Sequence, residues 1–218
     1  MKQIKISVII TCYNLEMYIA RAINSCLNQT LDERDYEIIV IDDASIDDSW
    51  NTITKFTGLI KYTRHKENLG VASASNTGLK LARGEYYVRV DGDDFVNRNF
   101  LKTLKEVLDY NDDIGYVYCD HFIVYENYER KNKMNSLDIL LDHGAGVMFR
   151  KRNLLSIGGY NEKYKTREDY DLILRYSEKF DGYHLRLPYY RYFKRSNSLS
   201  SNLEERKQEK IQINKEKK

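Results

Sequence analysis

EYYVRVDGDD, residues 85–94, decides how this chain is read. A β-branched and aromatic run ends by placing Asp91, Asp93 and Asp94 around one glycine, Gly92. At an intermediate effective dielectric, two carboxylates ~5–6 Å apart repel by roughly 3 kcal/mol. Water screens that cost, whereas a cleft needs a cation, a proton or a ligand to offset it. Gly92 lets the backbone turn sharply, so the flanking carboxylates converge instead of following the strand pleat.

Working outward, the same alternation of strand and helix repeats. KISVIITC (5–12) is a short, nearly continuous apolar run, as expected of a strand buried on both faces. Residues 15–28 follow with Ile19, Ala20, Ile23, Cys26 and Leu27 at helical spacing. YEIIVIDD (36–43) predicts a second strand, and Ser45 and Asp48 an N-cap and first-turn acid for a helix through Phe56. IKYTRH (60–65), a helix over 71–83, the strand at 85–91 and a helix over 97–110 complete the series. This βαβαβαβ order predicts an α/β fold, a Rossmann-like, mainly parallel sheet with helices on both faces.

After residue 112 the pattern changes. IGYVYCDHFIVY (114–125) is long and aromatic, GVMFRK (146–151) is short, a helix is expected over 168–180, and GYHLRLPYYRYF (182–193) closes the ordered part. The expected organisation is one domain over 1–204, with halves 1–112 and 113–204 fused without a linker, and a charged tail over 205–218. That tail reads as a solvated, frayed helix, although basic residues there can also hold a protein against anionic lipid.

Bulk properties narrow the classes. A net charge of +2 over 218 residues gives no basis for nucleic-acid binding. Cys12, Cys26 and Cys119 have no metal-ligand spacing and read as buried thiols in a reducing compartment. No run approaches the length of a membrane helix, and the start MKQIKISVII is strand-like rather than a signal peptide. The expected location is the cytoplasm, with peripheral membrane contact as the alternative.

Ligands of open α/β sheets bind beyond the carboxyl ends of the strands. Thr11-Cys12-Tyr13-Asn14, Asp42-Asp43 and Asp91-Gly92-Asp93-Asp94 all fall at such ends and are expected to meet at one rim. Converging oxygens without nearby His or Cys favour Mg²⁺ or Mn²⁺, which keep waters and complete their shell with substrate phosphates. On the triplet alone, an acidic turn is the simpler reading.

SVIITCYN, VIDDAS, ENLGVASASNTGLKLARGEYYVRVDGDD, GGYNE and TREDYDLILR occur in that order. Together they resemble the family 2 glycosyltransferases, which have the GT-A nucleotide-sugar fold, and the resemblance runs from about residue 5 to residue 200. It implies inverting transfer of a single sugar from a nucleoside diphosphate, UDP favoured, to a hydroxyl on a glycan or glycolipid acceptor, with Mn²⁺ or Mg²⁺ as cofactor. Thr11, Tyr13 and Asn14 fall where the family contacts the nucleotide, and Asp43 where it reads the base edge. Asp91-Gly92-Asp93 matches the DxD motif for ribose, metal and diphosphate, Asp94 is expected to face the sugar, and Asp169 matches the catalytic base. Gly159, Tyr160 and Glu168 fall on the acceptor side. Asp43 can equally cap the next helix, Tyr13 can be a core aromatic, and Glu168 and Asp169 suit a helix N-terminus whatever the function.

Two departures from the family pattern matter. Many relatives carry Arg in the segment represented here by Ala74-Ser75-Asn76, where this chain has Ser75, which removes a charge partner for the DxD acids. A late His is absent from YYRYFKRSNSLS (189–200), leaving Lys194 or Arg195 to meet the diphosphate. His121 and His143 can face the acceptor or lie at the surface. A nucleotidyltransferase is disfavoured, because TCYNLEMY replaces a Gly-rich loop after the first strand. A non-catalytic nucleotide- or glycan-binding module of the same fold remains the other reading.

Overall fold

The computed structural model describes residues 4–127, 130–133, 144, 146–195 and 202–217. Among them a nine-stranded sheet runs through both halves of the chain. Its first part is the expected alternation: β1 (Ile6–Cys12), α1 (Ile19–Leu27), β2 (Tyr36–Asp42), α2 (Ser49–Thr54), β3 (Lys61–Arg64), α3 (Val71–Leu81) and β4 (Tyr86–Asp91). Strands β3, β2, β1 and β4 lie side by side and parallel.

The second part is mixed. It consists of β5 (Phe95–Val96), α4 (Phe100–Asp109), β6 (Ile114–Tyr125), β7 (Arg130–Lys133), β8 (Val147–Arg150), α5 (Lys151–Ser156), α6 (Glu168–Ser177), β9 (Asp181–Lys194) and α7 (Leu203–Glu216). β8 is antiparallel to both β4 and β6, so it joins the halves into one sheet. β6 and β9 then pair in parallel along almost their whole length, with bulges near Asp120.

Every residue of β1 and β2 is buried, which accounts for their unbroken apolar character. The pleat sends Val8, Ile10, Val40 and Val88 to one face, packed with α1 and α4. Ile9, Ile39, Ile41 and Tyr87 face the other, with α3 and α6. Gly78 lets α3 lie directly on β1, since a Cβ there would come within 2.3 Å of Ile9.

Three local expectations are corrected. The helix expected from residue 15 begins at Ile19, because the preceding loop is laced to the one after β2. Asn14 N donates to Ser45 Oγ at 2.9 Å, Ile46 N to Asn14 Oδ1 at 2.8 Å, and Leu15 N to Ser49 Oγ at 2.8 Å. Ser45 therefore holds two rim loops together and does not cap α2. Gly92 has no left-handed backbone. Its lack of a Cβ serves close packing, because a Cβ would meet Thr11 O at 2.7 Å and Leu15 Cδ1 at 2.9 Å.

The third concerns the tail. The boundary expected at residue 204 falls inside α7, and that helix is docked, with Ile213 buried against Tyr164 and Tyr170. A charged composition hid this, because polar contacts hold the helix. Among the described residues no helix is long and apolar enough to cross a membrane. The three thiols are buried, and burial pushes each up to about 12.

Candidate active site

A cavity of about 810 Å³ opens at the carboxyl ends of β1, β2 and β4. Thr11, Tyr13, Asn14, Asp43, Asp91 and Asp93 line it from the sheet side. Glu168 and Asp169, at the start of α6, line it from the other. Arg195 at the end of β9 and Arg206 on α7 also reach it. The three strand-end clusters thus meet, with two exceptions, Asp42 and Asp94. Asp42 is buried away from the cavity, 2.9 Å from Arg64 Nε.

The wall at the end of β2 is preorganised. Asp43 accepts from Leu69 N at 3.0 Å and Gly70 N at 2.8 Å, and lies 2.6 Å from His65 Nδ1. His65 Nε2 is in turn 2.9 Å from Thr77 Oγ1. Asp43 therefore ties β2 to the turn before α3 rather than capping α2. Tyr13 is 43% exposed, so it is a rim residue of the cavity and not a core aromatic. Asn14 and Ala44 have positive φ of 53° and 61°, so both rim loops hold sparsely populated backbone.

The acidic turn separates its carboxylates by direction. Asp91 Oδ1 lies 3.0 Å from Arg89 Nε and receives Thr11 Oγ1 at 3.5 Å. Asp93 Oδ2 accepts from Arg195 Nε at 2.7 Å. Burial raises the Asp93 pKa, Arg195 pulls it back, and Asp91 pushes it up again. Asp94 does not face the cavity, contrary to expectation. It is 1% exposed and accepts from Tyr190 Oη and Phe193 N, each at 2.7 Å. Burial, then Asp93 and Asp91, hold its carboxyl well above the usual range. Lys194 is exposed and outside the cavity lining, so of the two expected cations only Arg195 reaches it.

On the opposite wall, Glu168 Oε1 accepts from Arg89 Nη1 at 2.9 Å. Burial pushes Glu168 up to about 7; Asp169 adds to this and Arg89 opposes it. Asp169 is also raised by burial, against Arg89, Arg206 and Arg167. Its Oδ1 accepts from Tyr170 N at 2.7 Å, and Gly144 packs so closely that a Cβ there would sit 2.5 Å from Asp169 Cβ. Burial at a helix start fixes the direction of this carboxylate.

Gly159 and Tyr160 are not in this cavity; they line a neighbouring groove against α3. Tyr160 is buried under the Arg89 guanidinium, 5.3 Å from its ring centroid. His121 is fully buried beside Tyr192 and does not face an acceptor, and His143 lies outside the described residues. Sequence reading missed Arg89, His65 and Arg206. Arg89 had a visible signal, a cation inside an otherwise apolar strand one residue from the acidic turn. Its Nη1 also lies 3.4 Å from Ser75 Oγ, so a cation from β4 stands beside the position where the resemblance leads one to expect a charge.

Comparison with known proteins agrees with this architecture. The family model described as Glycosyl transferase family 2 matches residues 7–195. The chain belongs to glycosyltransferase family 2. Among curated family relatives, the poly(ribitol-phosphate) beta-N-acetylglucosaminyltransferase TarP of Staphylococcus aureus (strain N315) is 42% identical over 103 residues, covering 46% of this chain and 32% of that protein. Chondroitin synthase of Pasteurella multocida (strain Pm70) is 30% identical over 216 residues, covering 93% of this chain and 22% of that one. The chain spans between 16% and 34% of the length of such curated relatives.

Solved structures carry the fold. Residues 1–349 of S. aureus TarS in complex with UDP-GlcNAc give a TM-score of 0.80 at 24% identity, covering 91% of this chain and 61% of that one. The mannosyltransferase PcManGT from Pyrobaculum calidifontis, in complex with GDP-Man and Mn2+, gives 0.79 at 19% identity over 97% and 63%. The family 2 fold is therefore the GT-A α/β fold expected from the sequence.

Proposed function

We propose that this family 2 chain is an inverting glycosyltransferase that moves a single sugar from a nucleoside diphosphate, UDP favoured, to a hydroxyl of a glycan or glycolipid. One observation carries the reading: Asp91 and Asp93 form one wall of the cavity in which Asp169 forms the other. UDP is favoured because TarP is named an N-acetylglucosaminyltransferase and TarS was solved with UDP-GlcNAc. Polysaccharide synthesis is supported by the names of TarP and chondroitin synthase. Three buried thiols suit a reducing, cytoplasmic setting.

The nucleotide lies along Thr11 and Tyr13, with Tyr13 stacking on the base and the Asp43 carboxylate accepting from its edge. The diphosphate lies over Asp91 and Asp93 beside Arg195, a cation where many relatives have His. The acceptor enters on the Asp169 side. As its oxygen bonds to the anomeric carbon, the bond to the departing diphosphate breaks and Asp169 takes the hydroxyl proton. Attack opposite the leaving group inverts that carbon.

The donor set suits a divalent ion in part-protein coordination. Asp91 and Asp93 offer hard oxygens in one cavity, and Asp91 raises the cost of ionising Asp93, while no group of three or more His, Cys, Asp or Glu gathers as a cage among the described residues. Asp91 and Asp93 would hold Mn²⁺ or Mg²⁺, leaving other positions to phosphate oxygens and water. When bound, the ion offsets charge on the departing diphosphate as a Lewis acid. Arg89 and Arg195 share that task through the same carboxylates.

The test is a melt with UDP, GDP, dTDP and CDP, each with and without Mn²⁺, followed by diphosphate release from the matching sugar nucleotide. A ligand at 100-fold its Kd stabilises by about 2.7 kcal/mol. A rise for one nucleotide together with turnover supports the reading. A rise without turnover reduces the protein to a binding module.

A further inference from the structure

We infer that α7, which lies beyond the residues matched by the family model, completes the active site, and that Arg206 on it is a positioning residue for Asp169. The inference rests on the proposed role of Asp169 as base. The family match ends at residue 195, yet Arg206 lines the same cavity as Asp169.

The way α7 is held points to that role. Its contacts concentrate on the segment that leads into Glu168 and Asp169. Glu209 accepts from Lys165 N and Thr166 N, both at 2.9 Å, and from Thr166 Oγ1 at 2.8 Å. Arg206 Nη1 donates to Thr166 O at 3.3 Å, while Arg206 O accepts from Arg167 Nε at 3.3 Å. Farther along, Tyr170 Oη donates to Asn214 Oδ1 and Tyr164 Oη to Glu216 Oε2, each at 2.9 Å. A helix with a single buried apolar residue is thus fixed by hydrogen bonds to the backbone and side chains around the base. Two backbone donors gain an acceptor, and the first turn of α6 gains a fixed approach.

The charges facing Asp169 explain what this placement does. Glu168 and Arg167 flank it on its own segment, Arg89 faces it from β4, and Arg206 faces it from α7. Arg89 is shared with Asp91 and Glu168, so it balances three acids. Arg206 brings a further positive charge to the acceptor end. A base must be ionised to accept a proton, and burial opposes ionisation of Asp169. The guanidinium on α7 favours the charged carboxylate and holds it toward the cavity.

The experiment follows the ¹³C-carboxyl titration of Asp169, assigned with Asp169→Asn, in wild type, Arg206→Gln, Arg206→Lys and the exposed control Lys207→Gln. Loss of a nearby cation raises a carboxylate pKa by about one unit or more. The midpoint is expected to move up by that amount in Arg206→Gln, to stay near wild type in Arg206→Lys, and to be unmoved in Lys207→Gln. The acid limb of donor turnover should move up equally, with donor KM unchanged. Should Arg206→Gln fail to fold, Arg206→Met keeps the apolar stem and carries the same measurement. An unmoved midpoint with a lowered melting temperature would make α7 a brace only and overturn the inference. A shifted midpoint with no wild-type turnover would sustain the Arg206–Asp169 relation and count against the catalytic reading.

Discussion

Arg89 Nη1 lies 2.9 Å from Glu168 Oε1, and this pair joins the two walls of the cavity, since Arg89 Nε is 3.0 Å from Asp91 Oδ1. Arg89 and Glu168 side chains are only 9% and 6% exposed, so the pair is little screened by solvent. Removing one partner of such a pair leaves a buried charge and costs about 3–5 kcal/mol. Arg89→Met should therefore lower stability by about 3 kcal/mol near pH 8. The loss should be smaller at pH 6, where Glu168 is largely protonated and the pair is already weakened. Urea denaturation at the two pH values checks this, and equal losses would argue against a titrating Glu168.

Glu168 also gives stability a pH dependence of defined sign. Its pKa rises from an ordinary 4.5 to about 7 in the folded protein, chiefly through burial. The unfolded chain therefore releases this proton first as pH rises. The contribution is fully present below about 4.5 and is lost as pH passes through about 7. Glu168→Gln removes the titration, so the stability of wild type relative to Glu168→Gln should fall between those values and level off above. Denaturation midpoints of both proteins from pH 4 to 8 measure it. A difference that rises with pH would reverse the assignment.

The parallel half was legible because its signals are local. The buried runs at β1 and β2 and the acids at strand ends follow from pleat, burial and topology, which act over a few residues. Arg89 shows the limit: its partners Asp91 and Glu168 stand two and 79 residues away in sequence. Only the packing of α6 on the sheet brings the distant one within reach. Asp94 was misplaced for a related reason, since adjacency to Asp93 says nothing about direction when β9 arrives from the other half to offer Tyr190 Oη and Phe193 N. α7 was misread because it is held by hydrogen bonds that Glu209 accepts rather than by an apolar stripe, and such bonds leave no periodic trace.

Asp93 and Asp94 are neighbours with different expected phenotypes. Asp94→Ala strips the acceptor from two buried donors, each worth about 1–3 kcal/mol when left unsatisfied. Its melting temperature should fall markedly, and nucleotide binding should weaken only as far as β9 loosens. Asp93→Ala removes a cavity carboxylate paired with Arg195 but also relieves its repulsion with Asp91 and Asp94, so stability should fall less than in Asp94→Ala. The stabilisation by nucleotide plus Mn²⁺ should vanish in Asp93→Ala. Melts of both variants with and without ligand separate the two, and the reverse pattern would exchange their roles.

Asp169→Asn isolates chemistry from binding. The amide oxygen can still accept from Tyr170 N, so the start of α6 should keep its shape. An amide cannot take the acceptor proton, and loss of a general base costs about 10²–10⁴ in rate. Turnover should fall by that factor while the nucleotide-induced rise in melting temperature stays at the wild-type value, because the proposed donor site is on the opposite wall. A kcat loss with unchanged donor KM places Asp169 on the acceptor proton. Loss of the nucleotide-induced rise would instead assign Asp169 to donor binding, and the base would have to be sought at Glu168, the adjacent carboxylate, whose pKa near 7 also suits proton transfer.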